Sequence, residues 1–289
     1  MSQSSRPVVR VVQPEPVVEG AGVRLRRSLG TRALDHLDPF LLLDHFESAD
    51  AADYEAGFPY HPHRGIETVT LVRHGQVRHA DSLGHRGTIG AGDIQWMTSG
   101  SGILHEEMPE VRPEGIAGLQ LWLNLPARDK MSRPKYRDLA AEQLVETETA
   151  EGARLRMIAG ESADGRVSGP VEGLAVAPKF VDVTLRPGTA FREPVPRGHT
   201  AFAYVDHGAV RFGPERTHVE APALVVFGEG DVVEASAEAG GGRFLLAAAR
   251  PLGEPIARYG PFVMNTRAEI EQTLHELRTG RFIREEPRE

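Results

Sequence analysis

The chain has 289 residues, 40% hydrophobic and 26% charged, a balance that fits a globular protein and excludes a disordered one. Its net charge of -8 and pI near 5.9 argue against direct binding to nucleic acid or to an anionic membrane, which needs a basic face. It has no cysteine, so disulfides, iron–sulfur clusters, thiolate zinc sites and cysteine nucleophiles are excluded, and any metal must be held by His, Asp and Glu.

The N-terminal run "MSQSSRPVVRVVQPEP" lacks the apolar core of a signal peptide. No stretch approaches the roughly eighteen apolar residues of a membrane span, so a cytoplasmic location is expected. Strand signals then dominate the chain. "IETVTLV", "GLQLWLNLP", "PKFVDVTLRPG", "TAFAYVDHGAVRFG" and "APALVVFGEGDVVEA" are short, β-branched or alternating, and punctuated by Gly and Pro, the pattern of an all-β sandwich or barrel. The polar segment from Arg128 to Ala150 has no strand alternation and reads as a connection between halves. Near the end, "NTRAEIEQTLHELRTGRF" predicts a helix over about 267–279. Thr266 and Glu269 form a capping-box pattern, Gly280 is the stop, and Ile270, Leu274 and Leu277 make an apolar stripe that should dock on a barrel.

The halves echo each other. His74-Gly75-Gln76-Val77-Arg78 recurs as His207-Gly208-Ala209-Val210-Arg211, and Gly92-Asp93-Ile94 as Gly230-Asp231-Val232, which suggests a duplicated β-domain. His61 stands thirteen residues before His74, whereas the same offset before His207 reads Pro194-Val195-Pro196. One half can therefore hold a metal that the other cannot.

In "YHPHRGIETVTLV", His61 and His63 share one face of a strand. Twelve histidines in such a chain produce roughly half an H-x-H by chance, so this pair alone decides little. A second pair, His105 and Glu107 in "SGSGILHEEMPE", raises its weight, since two such pairs can aim four ligands at one point. Three imidazoles and a carboxylate suit Fe(II), Mn, Co, Ni, Cu or Zn, and on an octahedral ion they leave two positions open for water, dioxygen or a chelating substrate. Glu67 shares the parity of His61 and His63 and is the rival carboxylate, unless Arg64-Gly65 bulges the strand and resets that parity. His79, Asp81 and His85 can orient a ligand or be ordinary loop polarity; Gln95, Trp96 and Met97 can wall a cavity or fill a core. Gln120, Trp122 and Asn124 alternate with Leu119, Leu121 and Leu123, which leaves open which set faces inward. His199, His207, His218 and His275 form no spaced set and read as surface residues.

"DPFLLLDHF" (38–46), "FPYHPHRGIETVT" (58–70), "GDIQWMTSGSGILHEEMP" (92–109), "GLQLWLNLP" (118–126) and "GPFVMNT" (260–266) resemble, in order, the sequence blocks of the pirin family. The match is dense over residues 30–126 and sparser afterwards. The resemblance implies a bicupin, two facing antiparallel β-barrels of jelly-roll type with a C-terminal helix. Residues 1–135 would form the metal-binding barrel and 136–289 a second barrel without ligands, ending in the helix. It implies His61, His63, His105 and Glu107 as ligands of one divalent metal, foremost Fe(II), and rejects Glu67, which stays with His79, His85 and Gln95 as a candidate neighbour of the ligands. Two positions depart from the family pattern, His45 in place of an acidic residue and Glu106 in place of a small one.

Family members resemble quercetin 2,3-dioxygenases, which open a flavonol ring and release carbon monoxide. The implied function is therefore an oxidoreductase acting on a small aromatic substrate such as a flavonol, with Glu107 accepting the substrate's hydroxyl proton. The competing expectation is a non-catalytic metal-binding regulator, a redox-sensitive cofactor of a transcription factor or metabolic enzyme that works through a protein partner. A wide cavity open to the metal favours the enzyme and a plugged one the regulator.

Overall fold

A computed structural model describes residues 3–284; its regular structure is mainly antiparallel sheet, with the expected α-helix at Arg267–Arg278. The chain divides into two compact units, though not at the expected boundary of 135/136. One unit joins Glu15–Ala141 to the segment from Leu252 onward, helix included; the other joins Glu142–Pro251 to the N-terminal residues up to Pro14. The helix thus packs in the unit that precedes it by more than a hundred residues, because its binding residues lie there, as described below. The segment read as a connection is also more regular than expected. It supplies an edge strand to each unit, Lys135–Leu139 beside Ile94–Thr98 and Glu146–Glu148 beside Arg154–Ala159. Both strands are short and polar, as edge strands commonly are, and so lack the alternation that signals a strand in sequence.

In the unit formed by Glu142–Pro251 and the N-terminus, a nine-stranded sheet is built around Thr200–Phe212 and the long strand Val232–Ala249. Its interior is filled by Phe191, Phe212, Phe227 and Phe244, edge to face at centroid distances of 5.1–5.6 Å. Burying each such ring contributes roughly 2–3 kcal/mol.

The unit containing Glu15–Ala141 has two sheets. The larger runs in the order Lys135–Leu139, Ile94–Thr98, Ile66–His74, Ile116–Asn124, Phe40–Ser48, Val23–Leu29, Glu15–Glu19. The smaller runs Phe58–His63, Ile103–Pro109, Val77–Asp81, Arg86–Ile89. The register of the larger sheet decides the question left open by alternation. Gln95, Thr70, Gln120 and Asp44 form one continuous row of partners, and Met97, Thr68 and Trp122 another. Both rows share the face opposite to Glu67, Leu119, Leu121 and Leu123. Thr70, Gln120, Asp44 and Trp122 line a cavity, and the leucines are buried away from it. His45 neighbours Asp44 on the same strand and so faces away from the cavity, which explains why its departure from the family pattern leaves the site intact.

Arg64-Gly65 is the corner where the chain leaves the smaller sheet and enters the larger. Gly65 has φ +79°, and a Cβ there would lie 2.0 Å from the carbonyl oxygen of Val263. Only glycine fits. The buried Arg64 side chain points from this corner to the C-terminal segment. Its Nε donates to the Ser101 carbonyl (2.7 Å), Nη1 to Thr273 Oγ1 (3.0 Å) and Nη2 to the Phe282 carbonyl (3.2 Å), and it pairs with Glu276 at 2.8 Å. Lys130, also buried, donates to the carbonyls of Gly65 (2.9 Å) and Val263 (2.8 Å) and to Asn124 Oδ1 (2.6 Å), and burial lowers its pKa to about 8.

The capping box of Thr266 and Glu269 forms as expected, and Gly280 follows the helix with φ +70°. The helix docks less through the expected Leu274 and Leu277, which are only partly buried, than through Ile270 and the polar Thr273 and Glu276. Periodicity searched for apolar residues and missed the two that meet Arg64. Among the described residues no helix is long and apolar enough to cross a membrane.

Two outcomes follow from this corner. Gly65→Ala should destabilise the unit by roughly 1–3 kcal/mol from backbone strain alone, with more from the clash, read as a fall in thermal midpoint. Burial would raise the Glu276 pKa, but hydrogen bonds from Gln272, Arg64 and Arg284 outweigh it and hold the carboxylate down to about 2. Its folded pKa is depressed, so it stabilises the fold above the ordinary value of 4.5 and loses that contribution as pH falls toward 2. The stability gap between wild type and Glu276→Gln, measured by urea denaturation, should therefore be constant at neutral pH and close over that acid window.

Candidate metal centre

The smaller sheet assembles the site by cross-strand pairing. His105 stands directly opposite His61, and Ile103 opposite His63. A bulge between those pairs and the Glu107–Phe58 pair adds one residue to the Phe58–His63 strand, at Pro59-Tyr60. On Ile103–Pro109 burial alternates, so His105 and Glu107 point inward while Leu104 and Glu106 point outward. This is why Glu106 tolerates its departure from the family pattern.

The three imidazoles converge with ring centroids 4.4–5.1 Å apart, and each offers a nitrogen within 4.8 Å of the others. An ion that bonds imidazole at about 2.1 Å sets neighbouring ligand nitrogens about 3.0–3.4 Å apart, so the trio would close on a bound ion by about 1–2 Å at most. Their chemistry fits a cation. Nδ1 of His63 and both nitrogens of His105 are buried with no hydrogen-bond partner, an arrangement that costs about 1–3 kcal/mol per orphaned group unless something occupies the lone pairs. His61 Nδ1 lies 3.0 Å from the Pro59 carbonyl, which can only accept; Nδ1 therefore carries the hydrogen and Nε2 is left as the ligating nitrogen. Burial, reinforced by the neighbouring imidazoles, holds His63 and His105 well below the usual histidine pKa, so both are neutral at pH 7.

Glu107 stands apart from this trio. Its carboxylate accepts from Thr70 Oγ1 (3.2 Å) and from Gln120 Nε2 (3.2 and 3.3 Å), and Thr70 Oγ1 also lies 2.7 Å from Gln120 Oε1. Burial raises its pKa above the ordinary carboxylate value, opposed by the nearby His61 and by these hydrogen bonds.

The remaining candidates are placed as follows. Glu67 accepts from Thr98 Oγ1 at 2.7 Å on the opposite face of its sheet, because the Arg64-Gly65 corner resets the parity it shares with the histidines in sequence. His79 is the strand partner of Glu107, its Nε2 3.0 Å from Asp138 Oδ2 and its ring stacked on Tyr136 at 5.1 Å. Gln95 donates to the other Asp138 oxygen (3.0 Å). His85 and Asp81 serve their own turn: Asp81 accepts from the backbone N–H groups of Leu83 and His85 and lies 2.7 Å from His85 Nδ1. Trp96 and Met97 are core residues.

A cavity of about 630 Å³ opens beside the cluster. His61, His63, Glu107, Thr70 and Gln120 line one part of it, and Val23, Leu25, Leu42, Phe46, Phe58 and Trp122 much of the rest. Trp122 meets the His63 ring edge to face at 5.0 Å. Sequence reasoning missed Thr70, Asp44, Arg27 and Arg258. Thr70 and Asp44 could have been found only with the sheet register in hand, and Arg258, some 150 residues beyond the last histidine of the cluster, carries no sequence signal at all.

With this geometry in view, the comparisons with known proteins agree on one lineage. The chain matches the family model for pirin over residues 22–123 and that for the pirin C-terminal cupin domain over residues 180–283. It is 44% identical to a pirin-like protein of Caulobacter vibrioides over 277 residues, 96% of this chain and 99% of that one. It superposes on the crystal structure of a quercetin 2,3-dioxygenase from Acinetobacter baumannii with a TM-score of 0.86 at 35% identity, covering 96% of this chain and 99% of the other. A bacterial pirin from Escherichia coli in complex with nickel(II) shares the fold at a TM-score of 0.62 and 19% identity, over 84% of this chain and 98% of that one.

Replacing His61 or His105 by alanine should abolish bound metal in elemental analysis while the unit containing Glu142–Pro251 stays folded. Because protons compete poorly for His63 and His105, metal occupancy in the unmodified protein should survive acidification through pH 6.5 and be lost below it.

Proposed function

The chain belongs to the pirin family, and from that premise we propose that it is a cytoplasmic metal-dependent dioxygenase opening flavonols such as quercetin. The observation that carries this reading is the cavity: about 630 Å³ of largely apolar space beside the histidine cluster is room for an aromatic substrate. A regulator that only senses redox state needs no such chamber, so the cavity weighs against that alternative. The A. baumannii structure, named as a quercetin 2,3-dioxygenase, supports the same substrate class.

In this reading His61, His63 and His105, whose nitrogens converge, hold one divalent transition metal, Fe(II) foremost, with Ni, Mn, Co, Cu or Zn as competitors, and Glu107, which stands apart from the trio, would be the fourth ligand. When bound, the metal supplies Lewis acidity and a path for electrons between substrate and dioxygen. The chain's own residues do the rest. The apolar walls formed by Val23, Leu25, Leu42, Phe46 and Phe58 exclude water from a planar ligand. Glu107, its proton affinity raised by burial, takes the proton of the substrate hydroxyl. Gln120 keeps that carboxylate aimed by donating to it through Nε2, and the single hydroxyl hydrogen of Thr70 is shared between the carboxylate and Gln120 Oε1.

The direct test is oxygen-dependent loss of quercetin by protein loaded in turn with iron, nickel, manganese, cobalt and copper. No loss with any of them would remove the enzymatic reading. Glu107→Gln should lower kcat by roughly a hundredfold or more, the usual contribution of a positioned base, and Gln120→Leu should lower it less.

A further inference from the structure

The cavity that adjoins the histidines also holds two guanidinium groups, and their situations differ. Arg27 is already compensated: Nε and Nη2 each donate to Asp44 at 2.7 Å, and Nη1 pairs with Glu19 at 2.8 Å. Arg258 makes no ion pair among the described residues. Its Nη1 donates to the Leu41 carbonyl at 3.3 Å and its Nε to the Gly260 carbonyl at 3.5 Å, both long contacts to neutral acceptors. It lies over the face of Trp122, its central carbon 5.2 Å from the ring centroid, and Trp122 in turn abuts His63 at 5.0 Å. Laid end to end, these contacts put the Arg258 charge no more than about 10 Å from the His63 ring, inside the same chamber.

We propose that Arg258 is the counter-ion for the ligand. The cavity takes planar aromatic oxygen acids that carry, besides the oxygen facing the histidines, a second anionic oxygen group (a carboxylate or an ionised phenol) at the far side of the ring system, and Arg258 binds that group. Three features support the assignment. Its charge stands at the open side of the cavity without an ion pair among the described residues, where an incoming anion can reach it. The Trp122 face holds the guanidinium plane in place and so limits the freedom lost when a ligand binds. The apolar walls between the two poles give an aromatic body its surface. The inference deepens the proposed function by naming its substrate class, but it rests on the cavity being the ligand chamber and not on ring opening.

The test uses the full-length protein loaded with zinc, so that binding is read without turnover, and isothermal titration with 2-naphthol and 6-hydroxy-2-naphthoate, which differ by the distal carboxylate. Wild type should bind the carboxylate about tenfold more tightly, the scale of a hydrogen bond to a charged group. Arg258→Gln should erase that preference without changing the affinity for 2-naphthol or the zinc content, and Arg258→Lys should keep part of it. Because solvent reaches Arg258 at the open side of the cavity, added salt should shrink the wild-type preference. A wild type with no preference, or one that binds neither compound, overturns the proposal. So does an Arg258→Gln protein that keeps the preference or loses both ligands equally. Failure of quercetin turnover with the naphthoate preference intact would remove the dioxygenase reading and leave this one standing.

Discussion

The histidine cluster depends on a buried cation next door to it. Arg64 follows His63 directly, and its guanidinium is sealed from solvent at the corner between the two sheets. A buried charge is tolerable only when its donors are satisfied and its charge offset, and that requirement is met by Ser101 on one side and by Thr273, Glu276 and Phe282 of the C-terminal segment on the other. The partners that make Arg64 tolerable are the ones that fix where His63 stands. Lys130 adds a second tie by donating to Gly65 and Val263, so the corner and the C-terminal segment are held by two cations and a shared backbone. This explains why a helix more than a hundred residues downstream belongs to the unit of the histidines.

The two units use similar turns to opposite ends. Gly75 and Gly208 both have positive φ, and in both a Cβ would run into the carbonyl of another glycine, Gly115 just before the strand Ile116–Asn124 in one case and Gly241 within the strand Val232–Ala249 in the other. The echo seen in sequence is therefore an echo of backbone geometry. The interiors diverge. Where one unit stacks Phe191, Phe212, Phe227 and Phe244 into a filled core, the other places Thr70, Gln120, Asp44 and Trp122 around open space. A filled core contributes stability directly; a chamber gives that up, and its unit is tied instead through Arg64 and Lys130.

What could be read from the residues alone follows from what each signal depends on. His61, His63 and His105 were legible because strand alternation is local: two residues apart on a strand means one face. The helix was legible from Thr266, Glu269 and Gly280 for the same reason. Rejection of Glu67 was within reach only as a conditional, since parity survives until a corner interrupts it, and whether Arg64-Gly65 turns the chain depends on Val263, two hundred residues away. The division into compact units was hidden on the same ground. Composition marks a polar segment, but the assignment of the C-terminal segment rests on hydrogen bonds between residues that no local pattern relates. Gln120 was visible as one of an alternating pair of sets, and only the register with Thr70 showed which set faced the cavity.

The electrostatics of the centre reduce to a single demand. Burial lowers the proton affinity of His63 and His105 and raises that of Glu107, so the same low-dielectric pocket disfavours both a protonated imidazole and a bare carboxylate. Neutral donors, Thr70 and Gln120, hold Glu107, and among the described residues no lysine or arginine pairs with it. A proton could neutralise the carboxylate but would do nothing for the unpartnered imidazole nitrogens. A divalent cation among the histidines answers both at once, taking their lone pairs and supplying the positive charge that the carboxylate lacks. With a carboxylate as sole anion, such a centre keeps a net positive charge, and the ligand it favours is one that arrives, or becomes, negative at the oxygen it presents. The proposed roles of Glu107 as proton acceptor and of Arg258, which makes no ion pair among the described residues, as counter-ion would serve that same preference.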